Sequence, residues 1–286
     1  YALTGDIDMS GVAMAPINNF SGNFDGKNFK ISGVTITPVG GQPNGLFGTI
    51  ENATIKNLTL ENSILNVSAN DLHTGGFVGK ATNSTIDKCT FNGTVLSACS
   101  ATFASSSGSN GASAVVAGIV AYAINTNITN CNVSGTIEGS KGQFTGGITG
   151  HIEGGKIENC EITRSAYIFS TMNHTGGIAG RITKDTEITN CVVDAPVLCG
   201  YATNGGLVGR MQSGVISNCV VTSNSEVVGH KGQAAVSYTD TGGLVGIIQT
   251  AANLGTKVII KDCACYANVT ANTYLGGLFG QIKATA

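Results

Sequence analysis

Hydrophobic positions along the chain follow a repeated Gly-Gly-apolar-apolar-Gly motif. Aligned on the second glycine, the anchors are Gly45, Gly76, Gly118, Gly147, Gly177, Gly206, Gly243 and Gly277, spaced by 31, 42, 29, 30, 29, 37 and 34 residues. Self-similarity at roughly 30 residues with occasional insertions is the mark of a solenoid, in which each unit buries its apolar face against its neighbours. The residue after each anchor is apolar in every unit, and the fifth after it is Ile50, Ala81, Ala123, Ile152, Ile182, Met211, Ile248 or Ile282. Positions one, three and five after the anchor share a face of an extended strand, so this face is predicted to be core. Position two, Val78 or Val208 for example, faces out by strict alternation, or packs inward if the motif glycine marks a bulge; parity leaves both open.

Two further columns complete the unit. Isoleucines (Ile55, Ile86, Ile128, Ile157, Ile188, Ile216, Ile260) stand three residues before Leu58, Cys89, Cys131, Cys160, Cys191, Cys219 and Cys263. An odd separation cannot place both columns on one face of a straight strand, so a bend is predicted between them. Asn57, Asn130, Asn159, Asn190, Asn218 and Asp262 occupy that bend, and Asn and Asp tolerate left-handed backbone angles.

Helical periodicity is nowhere sustained. The expected fold is an all-β, single-domain parallel β-helix of about seven to eight coils, each with three short strands, right-handed by the general crossover preference. Residues 1–44 lack the motif and are expected to cap the first coil as its lead-in. Residues 45–286 form the repeats, with loop insertions at 97–113 and 250–256. The chain ends inside a coil, as a fragment or a chain with a docked next domain would.

Composition narrows the function. Charged residues are 11% of the chain, Gly numbers 41 and Trp is absent; Asn, Thr and Ser must therefore solvate the surface. With 15 scattered basic residues and a net charge of −2, the chain has no electrostatic footprint for nucleic acid. No apolar run is long enough for a transmembrane helix. Nine cysteines repeat with the architecture, and in-register thiols one coil apart point the same way, which favours a buried column of free thiols over disulfides or a metal site. Cys99 and Cys199, outside that column, are the pair if one exists.

The fourth position after the anchor, opposite in parity to the core face, holds Lys80, Tyr122, His151, Arg181 and Arg210 in successive units. Such a stripe would be about 20 Å long at strand spacing. It suits an extended anionic glycan or the carboxylates of an extracellular protein; ordinary solvation of a charge-poor sheet is the other reading. A glycosidase needs two facing carboxylates, whereas Glu153, Glu158, Glu161, Asp185, Glu187 and Asp194 fall mostly at turns. No cofactor, metal site or catalytic residue is expected.

The motifs GGLVGR, GGIAGR and GGITGH, followed by IENC, ITNC or ISNC, resemble the GLUG-motif repeats, and the stretch from Tyr1 to Leu60 is similar to the lead-in that precedes them. That resemblance covers nearly the whole chain and implies an adhesin-like, non-catalytic protein of the type found in gut Bacteroidetes, secreted or on the cell surface. Structural glycines in that pattern are Gly76, Gly147, Gly177, Gly206, Gly243 and Gly277. The same repeats accompany immunoglobulin-A-cleaving metallopeptidases, but the four histidines here form no HExxH motif. The resemblance leaves open a binding module or a purely structural stalk.

Overall fold

Every paired strand lies parallel to its neighbours, and equivalent residues of successive units meet in register. The computed structural model describes residues 1–67, 73–97, 114–139, 144–171, 174–229, 239–251 and 257–285. Cys99, most of the 97–113 insertion and residues 252–256 lie outside them. Within the described residues, 28 strands join into one continuous sheet that wraps around the core, and seven short strands form a second. The protein is an all-β parallel solenoid.

The unit is divided more finely than the three strands expected. Phe144–Gly146, Thr149–Glu158, Glu161–Ile162 and Tyr167–Ser170 follow one another in one unit, and Thr149–Glu158 runs through two ladders. Five ladders therefore cross each unit: a lead strand before the glycine pair, a motif strand after it, an isoleucine strand, a post-cysteine strand and a closing strand. The subdivision follows from short runs of apolar residues interrupted by Asn, Gly and Ser at every corner.

The first 36 residues already belong to the ladders. Asn23, Lys30 and Thr35 pair with Thr54, Thr59 and Ile64, and Ile7 and Ala13 add another rung on Ile31 and Thr35. Phe20 and Phe24 then pack on Phe47, at ring distances of 5.1 and 5.7 Å, and cover that end of the core. In the last unit of the described residues Leu278 is 45% and Ile282 68% exposed.

The motif strand departs from strict alternation. Positions one, two and five after the anchor are all buried in the main core, as Phe77, Val78 and Ala81 show. Position three was expected to share that inward face. Its glycine instead carries the lead strand: a Cβ on Gly180 would lie 2.7 Å from the Thr145 amide nitrogen and one on Gly209 2.8 Å from that of Thr175. Glycine permits this approach in most units and the small Ala121 takes its place in one, which releases position two to turn inward.

Corners behave as their residues predict. Asn57, Asn130, Asn159, Asn190, Asn218 and Asp262 have φ between 54° and 55°. Their amides form a directed chain: Asn190 donates to Asn159, Asn159 to Asn130, each at 3.2 Å, and Asn130 to the Asp87 carboxylate at 2.7 Å. The remaining corner residue is Lys88, with φ of 52°, an unfavourable angle for a lysine. Lys88→Asn is expected to stabilise the fold by about 0.5–1 kcal/mol, read as a rise in the urea midpoint at unchanged slope; a fall would show that Lys88 has a role the corner geometry does not reveal.

Candidate functional site

The fourth positions after the anchors form one continuous line on the outside of the motif sheet. Lys80 pairs with Tyr122, Tyr122 with His151, His151 with Arg181, and Arg181 with Arg210. All five residues singled out in the sequence are thus brought together, one per rung. They are not equally accessible: Tyr122 and His151 are each only 5% exposed, while Lys80, Arg181 and Arg210 are half-buried.

The cover comes from the lead strand. Three residues before successive anchors stand His73, Val115, Phe144 and His174, and the rings among them interleave with those of the motif row. The order is His73, Tyr122, His151, Phe144, His174, with centroid distances of 5.1, 5.1, 5.4 and 5.4 Å. Lys80 lies 5.8 Å from the Tyr122 ring and Arg181 5.2 Å from the Phe144 ring, within cation–π range. The sequence reading missed this lead-strand column; its signal was the recurrence of ring-bearing residues three before the anchor.

Polar groups beside the stack are largely committed to one another. The Tyr122 hydroxyl donates to Glu153 at 2.5 Å, whose other oxygen pairs with Lys184 at 2.5 Å. Burial, together with the bond to Glu153, pushes the Tyr122 hydroxyl well up. Burial pulls His73 down to about 4, with Lys80 adding to it, and takes His151 down to about 3 with help from Arg181. His174 is also driven well below its usual value by burial, then by Arg210 and Arg181. All three rings are neutral at pH 7.

Arg181 and Arg210 are different. Arg181 donates from Nε at 2.9 Å, and again from Nη2, to the Gln212 side-chain oxygen. The Arg210 Nε is buried and has no hydrogen-bond partner among the described residues. Burial and the adjacent Arg181 bring Arg210 down to about 10. Neither arginine forms an ion pair with a described residue, whereas Lys30, Lys56, Lys156 and Lys184 each pair with a carboxylate.

The remaining singled-out residues line the interior. Cys89, Cys131, Cys160, Cys191 and Cys219 are buried and Cys263 half-buried; all six are free thiols. Each donates to the carbonyl two residues earlier at the corner, as Cys131 does to Thr129 at 3.1 Å and Cys219 to Ser217 at 3.2 Å. A thiol is small enough for the corner and still satisfies that carbonyl. Burial pushes the Cys131 and Cys160 thiols up. A Cβ on Gly76, Gly147, Gly177, Gly206 or Gly243 would meet the next anchor's carbonyl oxygen at 2.1–2.4 Å, whereas one on Gly277 meets nothing within 4 Å. Of the dispersed carboxylates, Glu158 pairs with Lys156 and Asp194 accepts hydrogen bonds from Thr222 and Asn224. The described residues contain no group of three side chains able to hold a metal ion.

Comparison with known proteins agrees with this architecture. The GLUG motif family matches residues 70–96 and 112–138. No curated protein sequence matches the chain. Among solved structures, the chain is similar over its whole length to 77% of a candidate immunoglobulin A1 protease from Bacteroides ovatus, with a TM-score of 0.55 and 18% identity. At that identity the likeness is one of fold. The two matched stretches hold the Lys80 and Tyr122 rungs, and the rungs of His151, Arg181 and Arg210 continue the same ladder: the chain is a parallel β-solenoid carrying GLUG motif repeats.

Proposed function

We propose that this solenoid is a non-catalytic binding module, secreted or displayed on a cell surface, whose motif sheet engages an acidic glycan. The observation that carries the reading is the row of Lys80, Arg181 and Arg210, three cations on one register line with no ion pair to any described residue. An anionic chain laid along that row makes charge-assisted hydrogen bonds that water otherwise provides. A glycan suits it better than a folded protein, because none of the large exposed apolar side chains lies at the outward positions of the motif strands, and protein interfaces are centred on such groups. Buried thiols with raised pKa values also resist the thiolate chemistry that an oxidising exterior would promote.

The test is binding to immobilised acidic and neutral glycans. Wild-type protein is expected to retain acidic glycans, to lose roughly tenfold in affinity between low and high salt, and to lose binding in the Lys80→Ala, Arg181→Ala, Arg210→Ala combination. Binding to matrix protein but to no glycan, or no binding at all, would sink the proposal.

A structural spacer is the second reading, and one observation favours it. The amide chain from Asn190 to Asp87 ties adjacent rungs together outside the core, which stiffens the axis whether or not a ligand binds. That reading expects no ligand for any face.

A further inference from the structure

The row of fourth positions is chemically divided, and only one part of it is free to act as a ligand site. At Tyr122 and His151 the side chains are enclosed, and Glu153 already serves Tyr122 and Lys184. Lys80 stands three rungs from Arg181, about 14 Å at strand spacing, with its ammonium near the Tyr122 ring. Arg181 and Arg210, by contrast, occupy adjacent rungs.

Two half-buried guanidinium groups one rung apart repel each other; Glu153 offsets this in part for Arg181, and no described carboxylate does so for Arg210. Each is also held in place. Gln212 fixes the Arg181 fork through two hydrogen bonds to one oxygen, and the Phe144 ring lies beneath its guanidinium carbon. The Arg210 Nε is enclosed without a partner, next to the buried, neutral His174. An enclosed donor left unpaired carries a desolvation cost that the molecule keeps. The two side chains leave adjacent rungs, about 4.8 Å apart along the ladder, so one oxyanion laid across both can accept charge-assisted hydrogen bonds of about 2.7–2.9 Å from the guanidinium nitrogens that are neither bonded to Gln212 nor enclosed.

We infer that Arg181 and Arg210 form a two-arginine site for a single oxyanion, the sulfate or carboxylate substituent of an acidic sugar. It rests on the reading of the motif sheet as a glycan-binding face and assigns that reading's anionic recognition to two residues. Thr183 and Gln212, two residues after Arg181 and Arg210, supply a hydroxyl and an amide nitrogen beside the anion for the neighbouring sugar hydroxyls. Lys80 has no part in the site.

The experiment titrates sodium sulfate, sodium acetate, glucuronate and, as control, sodium chloride at matched ionic strength, following backbone amide shifts and thermal midpoint. Sulfate or a carboxylate is expected to move amides around Arg181 and Arg210 saturably and to raise the midpoint above the chloride control. Arg210→Gln is expected to abolish this response; Gln281 occupies the equivalent position two rungs on, so the substitution fits the fold. Arg210→Lys, which keeps the charge but loses the fork, weakens binding about tenfold. Lys156→Ala, which removes a cation outside the row that is paired with Glu158, leaves it unchanged. Equal responses from wild type and Arg210→Gln overturn the site, as does a chloride response as large as that of sulfate. Sulfate rather than glucuronate, or the reverse, identifies which oxyanion source the site takes, and either supports it.

Failure of this site and of the broader reading are separable. If acidic glycans bind and the arginine variants bind as well as wild type while Lys80→Ala does not, the two-arginine site is wrong and the glycan-binding reading stands. If the small oxyanions bind at Arg181 and Arg210 but no acidic glycan is retained, the site stands and the glycan-binding reading falls.

Discussion

In the chain of residues 1–286, Gly177→Ala is expected to destabilise the fold by roughly 3 kcal/mol or more, while the same substitution at Gly277 is nearly silent. The two glycines hold the same place in the same motif. A Cβ at residue 177 would lie 2.4 Å from the Gly206 carbonyl oxygen and 2.8 Å from both Val193 methyl groups; one at residue 277 meets nothing within 4 Å. Neither glycine has a positive φ, so backbone preference does not enter and the difference is one of space. A rigid backbone oxygen in the middle of the stack cannot retreat as a flexible side chain can, and the adjacent rungs must separate. Chemical denaturation of the two variants beside wild type measures the contrast. Equal effects would mean that the motif glycine serves the unfolded chain or the turn and not the stacking of rungs.

The second large effect is on pH dependence. His73 and His151 are enclosed in the ring stack with folded pKa values of about 4 and about 3, below the value of about 6.5 for an unfolded chain. The unfolded state binds these protons first, so their full contribution to stability is present above about pH 6.5 and is lost as pH falls toward the folded values. At pH 5 each histidine contributes a loss of about 2 kcal/mol relative to pH 7.5. The charged and titratable groups facing them act in the same frame: Lys80 toward His73, and Arg181, Lys184 and Glu153 toward His151, of which only Glu153 opposes the shift.

Phe144 shows that the lead-strand position accepts a phenyl ring. His73→Phe should therefore retain the stack on Tyr122 and flatten the stability profile between pH 7.5 and pH 5 by about 2 kcal/mol. Urea midpoints at several pH values would show it. An unchanged profile would mean that the ring is hydrated and titrates normally in the folded protein.

Much of the fold is written in side-chain type at fixed spacing. The three-residue step from Ile157 to Cys160 forces a corner, and Asn159 adopts the left-handed angle that the corner needs. The register of Lys80, Tyr122, His151, Arg181 and Arg210 follows from counting four residues past each anchor. Other features depend on contacts between units, which spacing within a unit does not encode. Val78 and Val208 turn inward because the lead strand sits on Gly79 and Gly209. Tyr122 and His151 are enclosed because His73 and Phe144 arrive from a different strand. Lys88 takes a corner angle of 52° with no residue preference to announce it; the stacked neighbours impose it.

The directed ladder of the motif sheet has a consequence for how such a protein changes over time. Each unit of about 30 residues contributes one outward side chain at a fixed pitch, and the glycine and cysteine columns that hold the pitch are not the residues that face solvent. Outward letters can be rewritten one at a time without altering the spacing of the others. Duplication of a unit lengthens the row by one step of about 4.8 Å. The solenoid is in this sense a ruler whose divisions are set by its interior and whose markings are free to vary, and Arg181 beside Arg210 is one reading inscribed on it.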